Sequence, residues 1–355
     1  MKRVLITGGA GFVGANLSLF LKEHLPNTQI IAFDNLHRRG SELNINRLQE
    51  KGVDFIHGDI RNNTDLQAVP PCDWLIECSA EPSVLAGYSS TSDYMLHSNL
   101  TGALHCLQWA REHQVGFLFL STSRVYPYTV INSLPFTEIG TRYEINLNEN
   151  LPTGVSARGF SEQFALEGPR TLYGATKLTV ELIAEEYREM YGLPIIINRC
   201  GIITGPWQMG KIDQGVVALW IAHHIVEKPL SYIGFQGSGK QVRDLLDIQD
   251  LCELLLWQMT HYEKLPQKKF NIGGGRDRSF SLLELTKMCQ EITKHKIPIT
   301  SEPQTRPGDI AYYITDTSLI ESISPWKPTR SIEQTLIDTA QWISTHQSLL
   351  KGILF

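Results

Sequence analysis

Along the first third of the chain, short runs of apolar residues alternate with longer stretches whose apolar positions recur every three or four residues. Arg3 to Thr7 is a β-branched run, and Leu17, Phe20, Leu21 and Leu25 then follow a helical pattern. Thr28 to Phe33, Val53 to His57, Asp73 to Glu77 and Gly116 to Leu120 repeat the strand signature, and 93–114 reads as one long helix. Strands separated by helices predict a parallel sheet wound on both faces, with its site at the carboxyl ends of the strands.

The alternation then lapses. Residues 127–172 read as a loop-like excursion carrying Thr141-Arg142-Tyr143 and 158–163; connections this long are often functional, and this one is expected to cover a substrate. Tyr173 opens a helix through Leu178, Leu182 and Tyr187 to Gly192, and Pro194 to Asn198 is a sixth strand. Beyond the break at Gly205-Pro206-Trp207, helical patterns occupy 215–226, 282–294 and 332–347. Strand and helix patterns fill 244–259, with a late strand and turn at 270–275. The stretch 234–243 holds Gly237, Gly239, Lys240 and Arg243 and reads as a flexible basic segment.

Composition narrows the function classes. A chain of 355 residues can bury a large core, and 32 Lys plus Arg against 37 Asp plus Glu leave a net charge of −5 without long blocks of one sign. That balance argues against nucleic acid and against a polybasic membrane surface. The six cysteines are scattered, with no CxxC pair and no histidine at zinc spacing, so reduced thiols and no metal are expected. No apolar run approaches the ~20 residues that span a bilayer, and Thr7-Gly8-Gly9 ends the opening run too early for a signal peptide. The expected location is cytoplasmic.

Candidate chemistry follows the strands. Gly8, Gly11 and Gly14 lie between the first strand and helix in the order a dinucleotide loop requires: a tight turn, a close backbone approach to a pyrophosphate, and close helix packing. Asp34 ends the next strand, where a carboxylate takes ribose hydroxyls and repels a 2′-phosphate, favouring NAD; Arg38 and Arg39 keep NADP as a minority reading. Asp59 and Ile60 follow the third strand, and small residues including Ser79 and Ala80 follow the fourth. Ser121 to Tyr126 sit at the carboxyl edge after the fifth strand, where a hydroxyl could hydrogen-bond a reacting oxygen. Tyr173 and Lys177 are four apart on one helix, which brings an ammonium beside a phenol and makes a base of it. Taken alone that pair reads as a solvated helix face; the glycine loop, Asp34 and Thr122 favour the chemical reading. The expected fold is therefore α/β, a doubly wound parallel Rossmann sheet from 1–200 with 244–272 and a smaller, discontinuous C-terminal substrate lobe from 201–243 with 273–355.

Thr7 to Gly14, Asp34, Asp59-Ile60, Asn99 with Gly102, Thr122 to Tyr126, Tyr173 to Lys177, Arg199 to Pro206, Arg243-Asp244, Asn271 to Gly273, and Arg306 to Asp309 with Trp326 and Pro328 together resemble the extended short-chain dehydrogenase/reductases of the NAD-dependent sugar epimerase/dehydratase family. The resemblance implies a tightly held NAD contacted by Gly8, Gly11, Phe12, Val13, Gly14, Asp34, Asn35, Asp59, Ile60, Ser79, Ala80, Asn99, Tyr173 and Lys177. It implies catalysis by Thr122, Tyr173 and Lys177. Substrate contacts would come from Thr122, Ser123, Arg124, Gln214, Arg243 and Arg306, the two last gripping a diphosphate. Within the family, the resemblance carried by Asp213-Gln214-Gly215, the run from Gly239 to Asp244 and Thr141-Arg142-Tyr143 implies a CDP-hexose inverted at C2, with a UDP- or GDP-hexose 4-epimerase as the alternative. A nonenzymatic NAD sensor is disfavoured by the intact Thr122, Tyr173 and Lys177. The family's dehydratases carry Asp-Glu directly after the threonine, where Ser123 and Arg124 stand here. Relatives often have histidine at Glu77 and asparagine at Ile202. A homodimer or higher homo-oligomer through 93–114 and 173–190 is also implied.

Overall fold

The computed structural model describes residues 1–88, 91–210 and 214–355, so Asp213 lies outside the described residues. The chain forms two compact units: Met1–Val125 with Leu172–Arg199 and Leu251–Phe270, and Tyr126–Thr171 with Cys200–Asp250 and Asn271–Phe355.

The first unit is organised on a seven-stranded sheet: β1 (Arg3–Thr7), β2 (Gln29–Asp34), β3 (Asp54–His57), β4 (Trp74–Glu77), β5 (Gly116–Thr122), β6 (Ile195–Cys200) and β7 (Lys269–Ile272), in the order β7-β6-β5-β4-β1-β2-β3. β1 pairs in parallel with β2 and β4, β2 with β3, and β4 with β5. The strand order reverses between β1 and β4, which is where open α/β sheets bind ligands at their carboxyl edge. β5 is buried at every position, as its unbroken apolar run demands. Helices α1 (Phe12–His24), α2 (Ala103–Glu112) and α3 (Leu172–Tyr191) complete the frame. Leu75, Phe117 and Phe119 of the sheet are buried with Trp109 and Leu107 of α2 and with Val180 and Ala184 of α3. Each such side chain contributes roughly 1.5–3 kcal/mol on burial.

The long helix expected over 93–114 is interrupted. Asp93–Leu96 leads into a π-turn at His97–Gly102 before α2 begins. Gly102 explains the local packing, because a Cβ there would stand 2.6 Å from Ile60.

In the second unit, Val242–Asp247 is paired by Ile202–Thr204, Ser279–Ser281 and Tyr312–Tyr313. Helices Val216–Ile225, Leu282–Thr293 and Ile332–Thr345 accompany this sheet, the second opened by a capping box between Ser281 and Glu284. The excursion after residue 126 is more ordered than its sequence suggests. It contains a helix at Tyr128–Asn132 and antiparallel hairpins at Phe136–Ile145 and Val155–Phe160. Phe160 is fully buried, its ring stacked 5.0 Å from Tyr313, and Phe164 packs edge-on against it. The basic segment is likewise built in rather than flexible: Lys240 pairs with Glu138 of the hairpin, and Arg243 lies on a strand. Among the described residues, no helix is long and apolar enough to cross a membrane and no acidic, histidine or cysteine cluster could hold a metal ion.

Candidate active site

The glycine loop of the first unit is shaped by contacts that exclude side chains. Gly8 adopts φ +63°, and a Cβ on it would stand 2.8 Å from the Cys78 carbonyl; on Gly14 it would stand 2.2 Å from the Gly8 oxygen. Gly11 donates its N–H to the Gly8 carbonyl at 3.0 Å and precedes α1. No side chain caps that helix and its first turn, Phe12, Val13 and Gly14, holds no acid, so its free N–H groups suit an anion. Asp34 closes β2 and is nearly buried, its carboxylate accepting from Ala10 N at 3.0 Å and Leu36 N at 2.8 Å. Burial pushes its carboxyl above the ordinary aspartate range, and those backbone donors pull it part of the way back.

Asn35 donates to Asp59 at 2.9 Å, and Arg61 pairs with the same carboxylate at 2.6 Å. Burial alone would raise Asp59, but the hydrogen bonds from Arg61 and Asn35 outweigh it and hold the group at about 2. Ile60 is buried against Gly102 of the π-turn. Asn99, fully buried in that turn, fixes the loop after β4: its amide donates to the Glu81 carbonyl at 3.0 Å and accepts from Glu81 N at 2.8 Å. Ser79 and Ala80 enter this loop beside Gly8, whose Cβ would stand 2.9 Å from Ser79 N. These residues fit a dinucleotide: a side-chain-free loop, an uncapped helix start and a carboxylate at the end of the second strand.

At the end of β5, Thr122 is buried and its Oγ1 accepts from Arg124 N at 3.2 Å; Ser123 and Arg124 are half-buried in the turn that follows. Lys177 reaches the same edge from α3. Its ammonium donates to the Leu120 carbonyl at 3.0 Å, stands 3.4 Å from Glu77 and lies 4.5 Å over the Phe119 ring. Tyr173 occupies the opening turn of α3, half-buried, one helical turn before Lys177. Behind them, Arg199 of β6 pairs with Glu181 of α3 at 2.7 Å, and Glu181 also accepts from Ser121. Sequence reading assigned no role to Glu77, Glu181 or Arg199. A carboxylate ending the apolar run Trp74-Leu75-Ile76 was the available signal for the first.

Three predicted substrate residues belong to the second unit. Arg243 donates to the carbonyls of Val242 at 2.7 Å and Ile310 at 2.6 Å and pairs with Asp309 at 3.3 Å, while Arg306 stands 3.8 Å from the same carboxylate. Asn132 holds this turn by donating to Asp309 O at 2.8 Å and accepting from Ala311 N at 2.9 Å. Two arginines on one aspartate leave a net positive site suited to a diphosphate. Gln214 is half-buried beside Gly215, apart from this cluster in sequence, at the start of Val216–Ile225.

Fold and site together define a dinucleotide-binding α/β protein of the short-chain type. The chain belongs to the NAD dependent epimerase/dehydratase family, whose pattern matches residues 4–273, and it is thus an NAD-dependent enzyme of that class. It is 29% identical to CDP-paratose 2-epimerase of Salmonella typhi, over 97% of this chain and 99% of that one. It is 27% identical to UDP-glucose 4-epimerase of Halalkalibacterium halodurans, over 97% and 96%. The crystal structure of a Bacillus anthracis dTDP-glucose 4,6-dehydratase in complex with NAD shares the fold, with a TM-score of 0.77 at 22% identity over 99% of this chain and all of that one.

Proposed function

We propose that the chain is a nucleotide-sugar epimerase of the CDP-paratose/CDP-tyvelose 2-epimerase type, acting by transient oxidation of the sugar and re-reduction from its other face. The observation that carries this reading is the grouping at the carboxyl edge of β5, with Thr122 on the strand and Tyr173 and Lys177 on successive turns of α3. Near full-length similarity to a CDP-sugar 2-epimerase supports the substrate class. The bound NAD supplies hydride acceptance and return. Tyr173 takes the proton of the C2 hydroxyl, Thr122 hydrogen-bonds that oxygen and keeps it in line, and Lys177 favours the phenolate. Tyr173 gives the proton back when the 2-keto sugar, turned over, is reduced.

Ser123 and Arg124 support epimerisation over dehydration, because neither supplies the acid and base an elimination needs. The first compact unit then serves the cofactor, and the second, which takes in 126–171 as well as 201–243 and 273–355, is the substrate lobe, where Arg243 and Arg306 grip the diphosphate and Gln214 meets the sugar. Exposed Leu182 and Met190 on α3 support a homodimer.

The test is incubation with CDP-, UDP-, GDP- and dTDP-hexoses, the product stereocentre being assigned by NMR. Inversion at C2 of a CDP-hexose is expected; inversion at C4 alone would make the chain a 4-epimerase and sink the assignment. Deuterium placed on the reacting carbon should stay there in the product, as internal hydride return requires.

A further inference from the structure

β4 brings a carboxylate into the core. Trp74, Leu75, Ile76 and Glu77 are all buried, and Glu77, completely so, sits in register between Thr7 of β1 and Phe119 of β5. A buried carboxylate persists only beside a partner, and the cation facing it is Lys177, itself 2% exposed, at 3.4 Å. The lysine side chain crosses the Phe119 ring to reach this point, and its other acceptor is the Leu120 carbonyl. Glu77 Oε1 and the neighbouring Thr7 Oγ1 make no well-formed hydrogen bond; burial pushes the Glu77 carboxyl up, and Lys177, ahead of the Ser79 donors, pulls it back toward its anion.

We propose that Glu77 is a positioning residue for Lys177: its carboxylate fixes where the ammonium stands and offsets its charge, so that the pair sets how readily Tyr173 gives up its proton. The proposal rests on the reading of Tyr173 as the base. An isolated ammonium in a low-dielectric pocket pulls a nearby phenol strongly toward its anion, whereas an ammonium in contact with a carboxylate acts as a dipole whose field falls off faster. A reaction that removes a proton and later returns it needs a phenol poised between its two forms, and the balanced pair supplies that. Facing Glu77 besides Lys177 are Thr7 of β1, Ser79 after β4 and Cys106 of α2, whose thiol is pushed well up by burial. The elements packed on α3 also carry His97, His105, Arg111, Glu112 and Arg124, and α3 itself carries Glu181 with its partner Arg199. The charged groups on these elements are not altered by a substitution at residue 77, so their direct effect on Tyr173 drops out of a difference measurement; Cys106, which feels the Glu77 charge, is held up chiefly by burial.

The experiment is a titration of Tyr173 in protein labelled at the tyrosine ζ-carbon and purified with its dinucleotide, the signal being assigned among twelve tyrosines by its loss in Tyr173→Phe. Glu77→Gln should lower the Tyr173 midpoint by about half a unit or more, and the acidic limb of kcat should move the same way. A merely structural ion pair changes stability and leaves the phenol where it was, so an unchanged midpoint in folded Glu77→Gln overturns the proposal. The double variant Glu77→Gln with Lys177→Met removes both charges and is the easier chain to fold. There the Tyr173 midpoint should rise by less than about one unit, and a larger rise would show the lysine uncompensated and overturn the proposal. The titration needs no sugar, so an error in the substrate or the reacting carbon leaves it readable, and its own failure leaves the epimerase reading to the product assay.

Discussion

Single side chains in this protein separate chemistry from stability. On the proposed reading of Tyr173 as the base, Tyr173→Phe keeps the ring and loses the proton acceptor, so the rate of sugar turnover should fall by roughly 10²–10⁴ with nucleotide-sugar binding preserved, as turnover and calorimetric titration measured side by side would show. Glu181, by contrast, is fully buried, paired with Arg199 and accepting from Ser121. Its removal strands a buried guanidinium, and Glu181→Ala should cost about 3–5 kcal/mol in urea denaturation. Asp59 gives a pH signature. Its folded carboxyl is depressed to about 2, so the stability it contributes is present above the ordinary aspartate range and is lost as pH falls toward 2. The difference between wild type and Asp59→Asn should therefore be largest near neutrality and shrink steadily below pH ~4, read from urea midpoints across that range.

At the scale of elements, the glycine loop is the most demanding. Gly14→Ala forces a Cβ to 2.2 Å from the Gly8 oxygen, between backbone atoms that cannot turn away. The expected outcome is a lower melting temperature and a loss of bound NAD, measured as dinucleotide released by acid. This loop was legible in the sequence because glycine spacing is a local property, and the strand alternation was legible because β1, β2, β4 and β5 carry unbroken apolar runs. The π-turn was not. His97 to Gly102 is poor in helix formers, but weak propensity does not distinguish a π-turn from a frayed helix, and the close approach of Ile60 to Gly102 comes from a partner far away in the chain. Glu77 was visible as an oddity, but its meaning depends on Lys177, a hundred residues later. The excursion after residue 126 hid for the opposite reason. Its hairpins are short and polar, and its few anchors, Phe160 and Phe164, are too sparse to declare a period.

For the molecule as a whole, those anchors build a segment expected to cover a substrate into the core of the second unit. Phe160 stacks on Tyr313 and Phe164 packs against Tyr126, all within the second unit. Phe160→Ala should cost about 3–5 kcal/mol, detected as an early unfolding transition that tyrosine fluorescence reports. The two units are also interleaved along the chain, which passes from one to the other after Val125, Thr171, Arg199, Asp250 and Phe270. Such threading limits how this protein can acquire a new substrate over evolutionary time. A recombination event with one breakpoint cannot exchange the second unit while leaving the first intact, since a cut before residue 126 divides the first, one after residue 270 divides the second, and one between them divides both. New specificity must instead accumulate by substitution and by growth or shortening of segments such as 126–171, inside a gene inherited as one piece.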